Sequence, residues 1–306
     1  MADVKPVKSG WFNLFRPWTL HGAVVPVVIG GAVAWRDGIL ELWIFILILI
    51  CGCLLQSVAN ILNTYGDFVK GTDTLENHSR SPELVDGTLT PNDCLKAALV
   101  CMAIVAACGL LFIWHLPTWE ARFGMVLFGI AGLGGAAMYT IGASYKYHGM
   151  GQIGVFFLMG ILMPIGTYYT MQGTFSWDPI LIGLPNAFTI TAVLAGNEVR
   201  DYYDDRKSEV GTLSGRMSYE SAMRLYLAEN ALAPIILVVL VALGIAPWTC
   251  LLALITLWDF VKLWKNSKLA PAEPGPNRLL VPMAFNFNWH FGAVLVIGFI
   301  IGVLLL

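Results

Sequence analysis

An all-α, polytopic membrane protein with nine transmembrane helices is the fold class this chain predicts. Of its 306 residues, 57% are hydrophobic and only 12% charged, with a mean hydropathy of +0.71. A soluble domain carries roughly 25% charged residues. Apolar runs near the about 20 residues needed to cross a hydrocarbon core recur along the whole length. The positive charges are also one-sided. With nine spans, every Lys and Arg except Arg36 and Arg122 falls on the side of the N-terminus, which that bias makes cytoplasmic.

The first two spans are expected over 19–36 and 41–63. No cleavable-signal pattern precedes the first, because Arg16-Pro17 leads straight into it, so it is expected to remain in the mature protein. The third covers 94–115, where Cys94, Cys101 and Cys108 repeat every seven residues. That spacing puts three small side chains on one stripe for close helix packing rather than for disulfides or metal. The fourth and fifth, 121–141 and 150–172, are joined by the short stretch 142–149. The sixth is 178–197. The seventh, 222–244, and the eighth, 247–266, are joined by the tight Gly244-Ile-Ala-Pro247 hairpin and are the least apolar. Arg224, Glu229 and Asn230 lie in one, Asp259 and Lys262 in the other. A Pro-rich run, Pro271 to Pro276, leads to the ninth at 281–305.

Two polar clusters interrupt the oily pattern. One is Asn60-Ile-Leu-Asn63-Thr-Tyr-Gly-Asp67-Phe-Val-Lys70-Gly71-Thr-Asp73, the other Asn197-Glu-Val-Arg200-Asp201-Tyr-Tyr-Asp204-Asp205-Arg206-Lys207. Each closes a hydrophobic run and sets an Asn four residues before an Asp. They suggest an internal duplication: two related four-helix halves, about 19–141 and 150–266, plus one last helix, all in a single domain over 1–306. The long polar stretches that follow them, 64–93 and 198–221, suit caps over a site.

Asn197, Asp201 and Asp205 recur at i, i+4 and i+8 and share a helix face, which Asp204 can join. Asn60, Asn63 and Asp67 form a matching stripe. Asp73 falls out of register, and Gly71 is the natural place for the chain to turn it back inward. Clusters of Asp and Asn without His or Cys suit Mg²⁺ rather than zinc or copper. An acid at the end of a membrane span is costly and faces a cavity by default. Two such sets at one membrane depth point to cations that hold a diphosphate. Lys146, in Ser144-Tyr-Lys-Tyr147, is a candidate clamp for that group. Arg16, at the start of the first span, is a candidate for an acceptor carboxylate or a lipid headgroup. His21, His115, His148 and His290 are isolated. Phe156, Phe157, Tyr168 and Tyr169 read as packing and cavity wall.

These motifs resemble the UbiA superfamily of intramembrane prenyltransferases over essentially the full chain. They are most similar to its menaquinone branch, the 1,4-dihydroxy-2-naphthoate polyprenyltransferases and their vertebrate relative. The resemblance rests on Arg16-Pro-Trp-Thr19 with Pro26, on Asn63 through Asp73, and on Tyr139-Thr140 through Gly151 with Gly160 and Gly166-Thr-Tyr-Tyr169. Arg200 through Lys207 with Gly211-Thr-Leu213 completes it. Glu198, Gln152 and Thr64 depart from it: many relatives have Asn at the first of these positions, and an acid at each of the other two.

The resemblance implies a nine-helix bundle around a central, laterally open cavity and Mg²⁺-dependent ionisation of a polyprenyl diphosphate. The prenyl group then passes to an aromatic ring, most simply dihydroxynaphthoate with loss of CO₂. Asn63, Asp67, Asp73, Asn197, Asp201 and Asp205 are expected to hold the metal. Lys146, Arg200, Lys207 and Lys70 would hold the diphosphate, with Asp67, Asp73, Asp201, Asp205 and Lys146 catalytic and Arg16 at the acceptor. Expected partners are the two substrates and membrane lipids, with no nucleic acid and no obligate protein partner. The expected location is the cell's cytoplasmic membrane, both Asp motifs facing the cytoplasm. Other acceptors compatible with the same fold are 1,4-dihydroxy-6-naphthoate, 4-hydroxybenzoate, homogentisate and a lipid alcohol. A cation or metabolite transporter is the alternative of a different class, but it needs polar residues at mid-membrane or on both faces.

Overall fold

The computed structural model describes residues 10–71, 73, 82–207 and 210–305, and these are helical, with no strand among them. Five long helices come first: α1 His21–Arg36, α2 Leu42–Val69, α3 Pro91–His115, α4 Trp119–Met138 and α5 Gly151–Gln172. They are followed by α6 Asp178–Arg200, α7 Tyr219–Ala242, α8 Leu257–Leu269 and α9 Pro274–Leu305.

Local sequence sets several of the boundaries. At the start of α3, the Thr90 side chain accepts from the Asp93 N–H while Asp93 returns a bond to the Thr90 N–H, with Pro91 at the first helical position. This reciprocal cap satisfies two of the free N–H groups at a helix start. Thr118 and Ser218 cap α4 and α7 by accepting from Ala121 and Ser221. In α5, residues Phe156–Leu162 form a π-type turn. Pro164 follows directly and has no N–H to return to Gly160, which shifts the hydrogen-bond register.

The expected count of nine spans is not reproduced by length and apolarity. Seven helices pass, α2 to α7 and α9, or eight if α1 is joined to the segment Trp11–Thr19 across a 44° bend. The expected eighth span is a nine-residue 3₁₀ stretch, Trp248–Thr256, running into the 13-residue α8. Asp259, Lys262, Lys265 and Lys268 all fall in α8. The 3₁₀ stretch lies tight against α9, where a Cβ on Gly298 would stand 2.5 Å from the Thr249 carbonyl oxygen.

Aromatic and branched side chains of α9, α1 and α7 form the core, with Phe287, Phe291, Leu237 and Val33 at 0% exposure. At the end of the bundle where α1 finishes and α6 begins, Arg36 bonds Asp37 and Asp178, and the Tyr168 hydroxyl donates to Asp37. Both Asp clusters sit at the other end, on the last turns of α2 and α6. Cys94, Cys101 and Cys108 are all buried and all six cysteines are free thiols, as the packing stripe predicts.

Candidate active site

The site begins where α2 continues past its apolar run. Asn60, Thr64 and Asp67 are all buried there. Asn60 ties down the chain ahead of α1, donating to the Phe15 carbonyl and the Thr19 hydroxyl. Asn63 Nδ2 donates to Asp67 Oδ2 at 3.0 Å. Lys146 Nζ lies 2.8 Å from Asp67 Oδ1 and 3.0 Å from Oδ2 and also donates to Asn63. The Tyr147 hydroxyl donates to Asp67 Oδ1 at 2.8 Å. Burial first, then the Asp67 charge, hold the Tyr147 phenol above its ordinary range, so it remains a donor.

Gly71 has φ +71° and ends this element. The turn brings the Asp73 N–H onto the Asp67 carbonyl at 3.3 Å and buries the Asp73 side chain to 5% exposure. The inward turn expected from Gly71 is therefore present.

The second cluster is built differently. α6 ends at Arg200, Asp201 caps it at φ −96°, and Tyr202–Lys207 form a separate short helix. Asn197, Asp201 and Asp205 nonetheless line one cavity together with Asn63, Asp67 and Lys146. Arg200 grips Asp201 through two parallel bonds of 2.8 and 2.7 Å, and Asn277 donates to the Arg200 carbonyl. Asp204 does not share this face. It is exposed, with Lys207 Nζ 3.9 Å away. Lys207 and Lys70 do not line the cavity. Lys70 instead lies 3.6 Å from the centre of the Tyr147 ring.

Arg16 lines the same cavity. It sits in the left-handed region, φ 49°, between the turns Trp11–Phe15 and Pro17–Thr19, and its Nη2 donates to Thr64. Asp67, Glu83, Asp73 and Arg200 all act electrostatically on its charge. Glu83, 2% exposed on the short helix Pro82–Val85, is a polar element that the sequence patterns do not single out. Burial raises its carboxyl above the usual carboxylate range. The parts of the two expected caps at residues 72, 74–81 and 208–209 lie outside the described residues.

The cavity has a volume of about 1050 Å³. It runs along α2 from Asp67 to Ile48, roughly 28 Å at about 1.5 Å per helical residue. Below the polar mouth its wall is apolar, with Leu55, Val105, Phe112, Leu133 and Leu162. The aromatic lining is Trp18, Phe112, Phe128, Tyr139, Tyr145 and Phe285. The aromatic residues expected from α5 pack elsewhere: Phe157 is exposed on the outer face, and Tyr169 donates to the Ala121 carbonyl. Three of the four histidines read as isolated are partnered: His115 with Glu41, His290 with Asp259 and His148 with the Ser144 carbonyl.

Among the described residues, no three His, Cys, Asp or Glu side chains gather into a metal cage. The donor set still suits Mg²⁺, which takes one or two carboxylates and completes its shell with water and substrate phosphates. Asp67 of the first cluster and Asp201 and Asp205 of the second line the cavity and offer such donors, whereas Asp73 is buried but is not among the lining residues.

Comparison with known proteins agrees with this architecture. The UbiA prenyltransferase family profile matches residues 23–281. The 1,4-dihydroxy-2-naphthoate octaprenyltransferase of Escherichia coli K12 is 30% identical over 218 residues, 71% of each chain. The human UbiA prenyltransferase domain-containing protein 1 is 28% identical over 200 residues, 65% of this chain but only 58% of the human one. A UbiA homolog from Archaeoglobus fulgidus, solved bound to DMAPP and Mg²⁺, superposes with a TM-score of 0.57 at 17% identity, covering 94% of this chain and 99% of the other.

Proposed function

This chain belongs to the UbiA prenyltransferase family, and on that basis we propose that it transfers a polyprenyl group from a polyprenyl diphosphate to an aromatic acceptor. The acceptor we favour is 1,4-dihydroxy-2-naphthoate, the substrate for which the Escherichia coli relative is named. The carrying observation is the single cavity that unites Asp67 of the first cluster, Asp201 and Asp205 of the second, Lys146, Arg200 and Arg16 at its mouth with a long apolar interior.

In this reading the allylic C–O bond breaks and its electron pair leaves with the diphosphate. Asp67 and Asp73 with Asn63, and Asp201 and Asp205 with Asn197, would hold Mg²⁺. When bound, that ion supplies positive charge against the leaving group, as the Archaeoglobus fulgidus homolog's bound Mg²⁺ and DMAPP suggest by analogy. Lys146 and Arg200 add fixed positive charge at the same mouth, where a low dielectric strengthens it. The apolar wall takes the isoprenoid tail and keeps water from the allylic cation. The ring carbon bearing the carboxylate then gives an electron pair to the prenyl carbon, and the bond to the carboxylate breaks, returning its pair to the ring as CO₂ leaves. Nine membrane passes, related halves and a cytoplasmic mouth form part of the same proposal, supported by the helix positions and the one-sided positive charge.

The direct experiment incubates purified protein with Mg²⁺, geranylgeranyl diphosphate and each of five acceptors: the two dihydroxynaphthoates, 4-hydroxybenzoate, homogentisate and a glycerol lipid. A prenylated naphthoquinol with one CO₂ released per transfer supports the reading. Transfer to another acceptor alone would move the substrate assignment, and absence of transfer to all five would defeat it.

A further inference from the structure

We propose that Glu198 is a second acceptor-binding residue of this site, beside Arg16, its cavity-side carboxyl oxygen taking a hydrogen bond from an aromatic hydroxyl. The proposal deepens the prenyl-transfer reading and rests on it. Glu198 is 4% exposed, yet it lines the cavity. Its Oε2 accepts three bonds: from Gln152 Nε2 at 2.7 Å, from the Ser214 N–H at 3.0 Å and from the Ser214 hydroxyl at 2.9 Å. No described donor reaches Oε1. A carboxylate held so firmly at one oxygen cannot rotate away, so the other is presented in a fixed direction. A ligand hydroxyl that enters the cavity can donate to that oxygen.

The surroundings select the kind of ligand. Tyr139 and Tyr145 line the cavity as an edge-to-face pair, ring centres 5.4 Å apart, and Glu198 lies within electrostatic reach of Tyr139. The Tyr145 hydroxyl donates to the Gly135 carbonyl, which fixes its ring. The ring also needs the glycine opposite it, because a Cβ on Gly154 would fall 2.4 Å from Tyr145. The aromatic pair and a carboxyl oxygen with no described donor suit a flat ring that carries a hydroxyl. An isoprenoid tail has no donor to offer, and unless a metal ion sits on the carboxyl group the diphosphate is repelled by it. The aromatic co-substrate is the remaining molecule with the right chemistry.

The test compares wild type with Glu198→Gln and Glu198→Asp in detergent, with thermal midpoints to confirm folding. Direct binding of 1,4-dihydroxy-2-naphthoate is measured by equilibrium dialysis, beside KM for each substrate and the Mg²⁺ requirement. The expected result is a rise of at least tenfold in acceptor Kd and KM for Glu198→Gln, with donor KM and Mg²⁺ half-saturation within twofold of wild type. On wild-type protein, which needs no substitution, acceptor analogues with one hydroxyl methylated should bind at least tenfold more weakly. Glu198→Gln should lose most of that preference for the free hydroxyl. Unchanged acceptor affinity and unchanged hydroxyl preference overturn the proposal. So does a parallel shift in Mg²⁺ half-saturation, which would make Glu198 a metal ligand. Failure of the wider reading looks different: wild type would bind no prenyl diphosphate and prenylate no acceptor, whatever stood at 198.

Discussion

Lys146 Nζ and Asp67 Oδ1 are 2.8 Å apart, joining the turn after α4 to the last turns of α2. The two residues are expected to serve different partners, one the diphosphate and the other the metal. Their side chains are only 13% and 8% exposed, so this is a shielded pair rather than a solvated surface contact. Removing one partner of such a pair leaves a buried charge and commonly costs about 3–5 kcal/mol. The ammonium thus occupies the carboxylate that a divalent ion would also need.

That competition gives the first prediction. Lys146→Ala should lower the thermal midpoint in metal-free buffer and raise the KM for the prenyl diphosphate, leaving the acceptor KM nearly unchanged. Mg²⁺ should then raise the midpoint more in the variant than in wild type, because binding to the folded state alone adds stability. A Mg²⁺ titration by thermal unfolding reads this directly. An equal or smaller shift in the variant would show that lysine and metal do not compete.

The second prediction concerns the acids themselves. Asp67→Asn and Asp201→Asn preserve shape and remove charge, one in each cluster. Each should lower kcat by at least about 10²-fold, equivalent to roughly 2.7 kcal/mol of transition-state stabilisation. Near-normal turnover of both in saturating Mg²⁺ would remove them from the metal sites, while chelation of the metal should abolish activity in wild type.

Tyr147 supplies the third. Its hydroxyl donates to Asp67 at 2.8 Å and its ring carries Lys70 on one face. Tyr147→Phe keeps the ring and removes one hydrogen bond to a charged group, worth about 1.5–3 kcal/mol. Turnover should fall roughly tenfold, since about 1.4 kcal/mol is a factor of ten, and the Lys70 contact should survive. Full activity of the variant would mean that Asn63 and Lys146 suffice to orient Asp67.

The acids at the ends of α2 and α6 are legible in the sequence because charge inside an apolar run is expensive and stands out. The burial of Asp73 is legible too, since Gly71 supplies the turn that its spacing from Asp67 requires. Helical spacing fails beyond Arg200 because α6 stops there, and Asp204 and Lys207 then face outward. Glu198 reads as a mere departure from a family pattern, for its partners Gln152 and Ser214 are 46 and 16 residues away and only folding joins them. The 3₁₀ segment of the expected eighth span is not legible for a different reason. Apolar content alone does not distinguish an α-helix from the 3₁₀ stretch that packs against Gly298.

The last prediction is for Arg16, whose position now separates two roles that the sequence leaves open. It lines the cavity and donates to Thr64, while Trp11 and Trp18 beside it are exposed. Trp11 has the character of an interfacial anchor, whereas Trp18 lines the cavity together with Arg16. Arginine can grip a carboxylate through two parallel bonds, a planar fork that lysine lacks. Arg16→Lys should therefore raise the KM for dihydroxynaphthoate about tenfold or more, a loss of about 1.4 kcal/mol, with donor KM unchanged. An acceptor analogue without the carboxylate should show no difference between the two proteins. If Arg16→Lys is fully active on dihydroxynaphthoate, Arg16 does not hold the acceptor carboxylate. If prenylation releases no CO₂, the carboxylate-bearing carbon is not the one attacked.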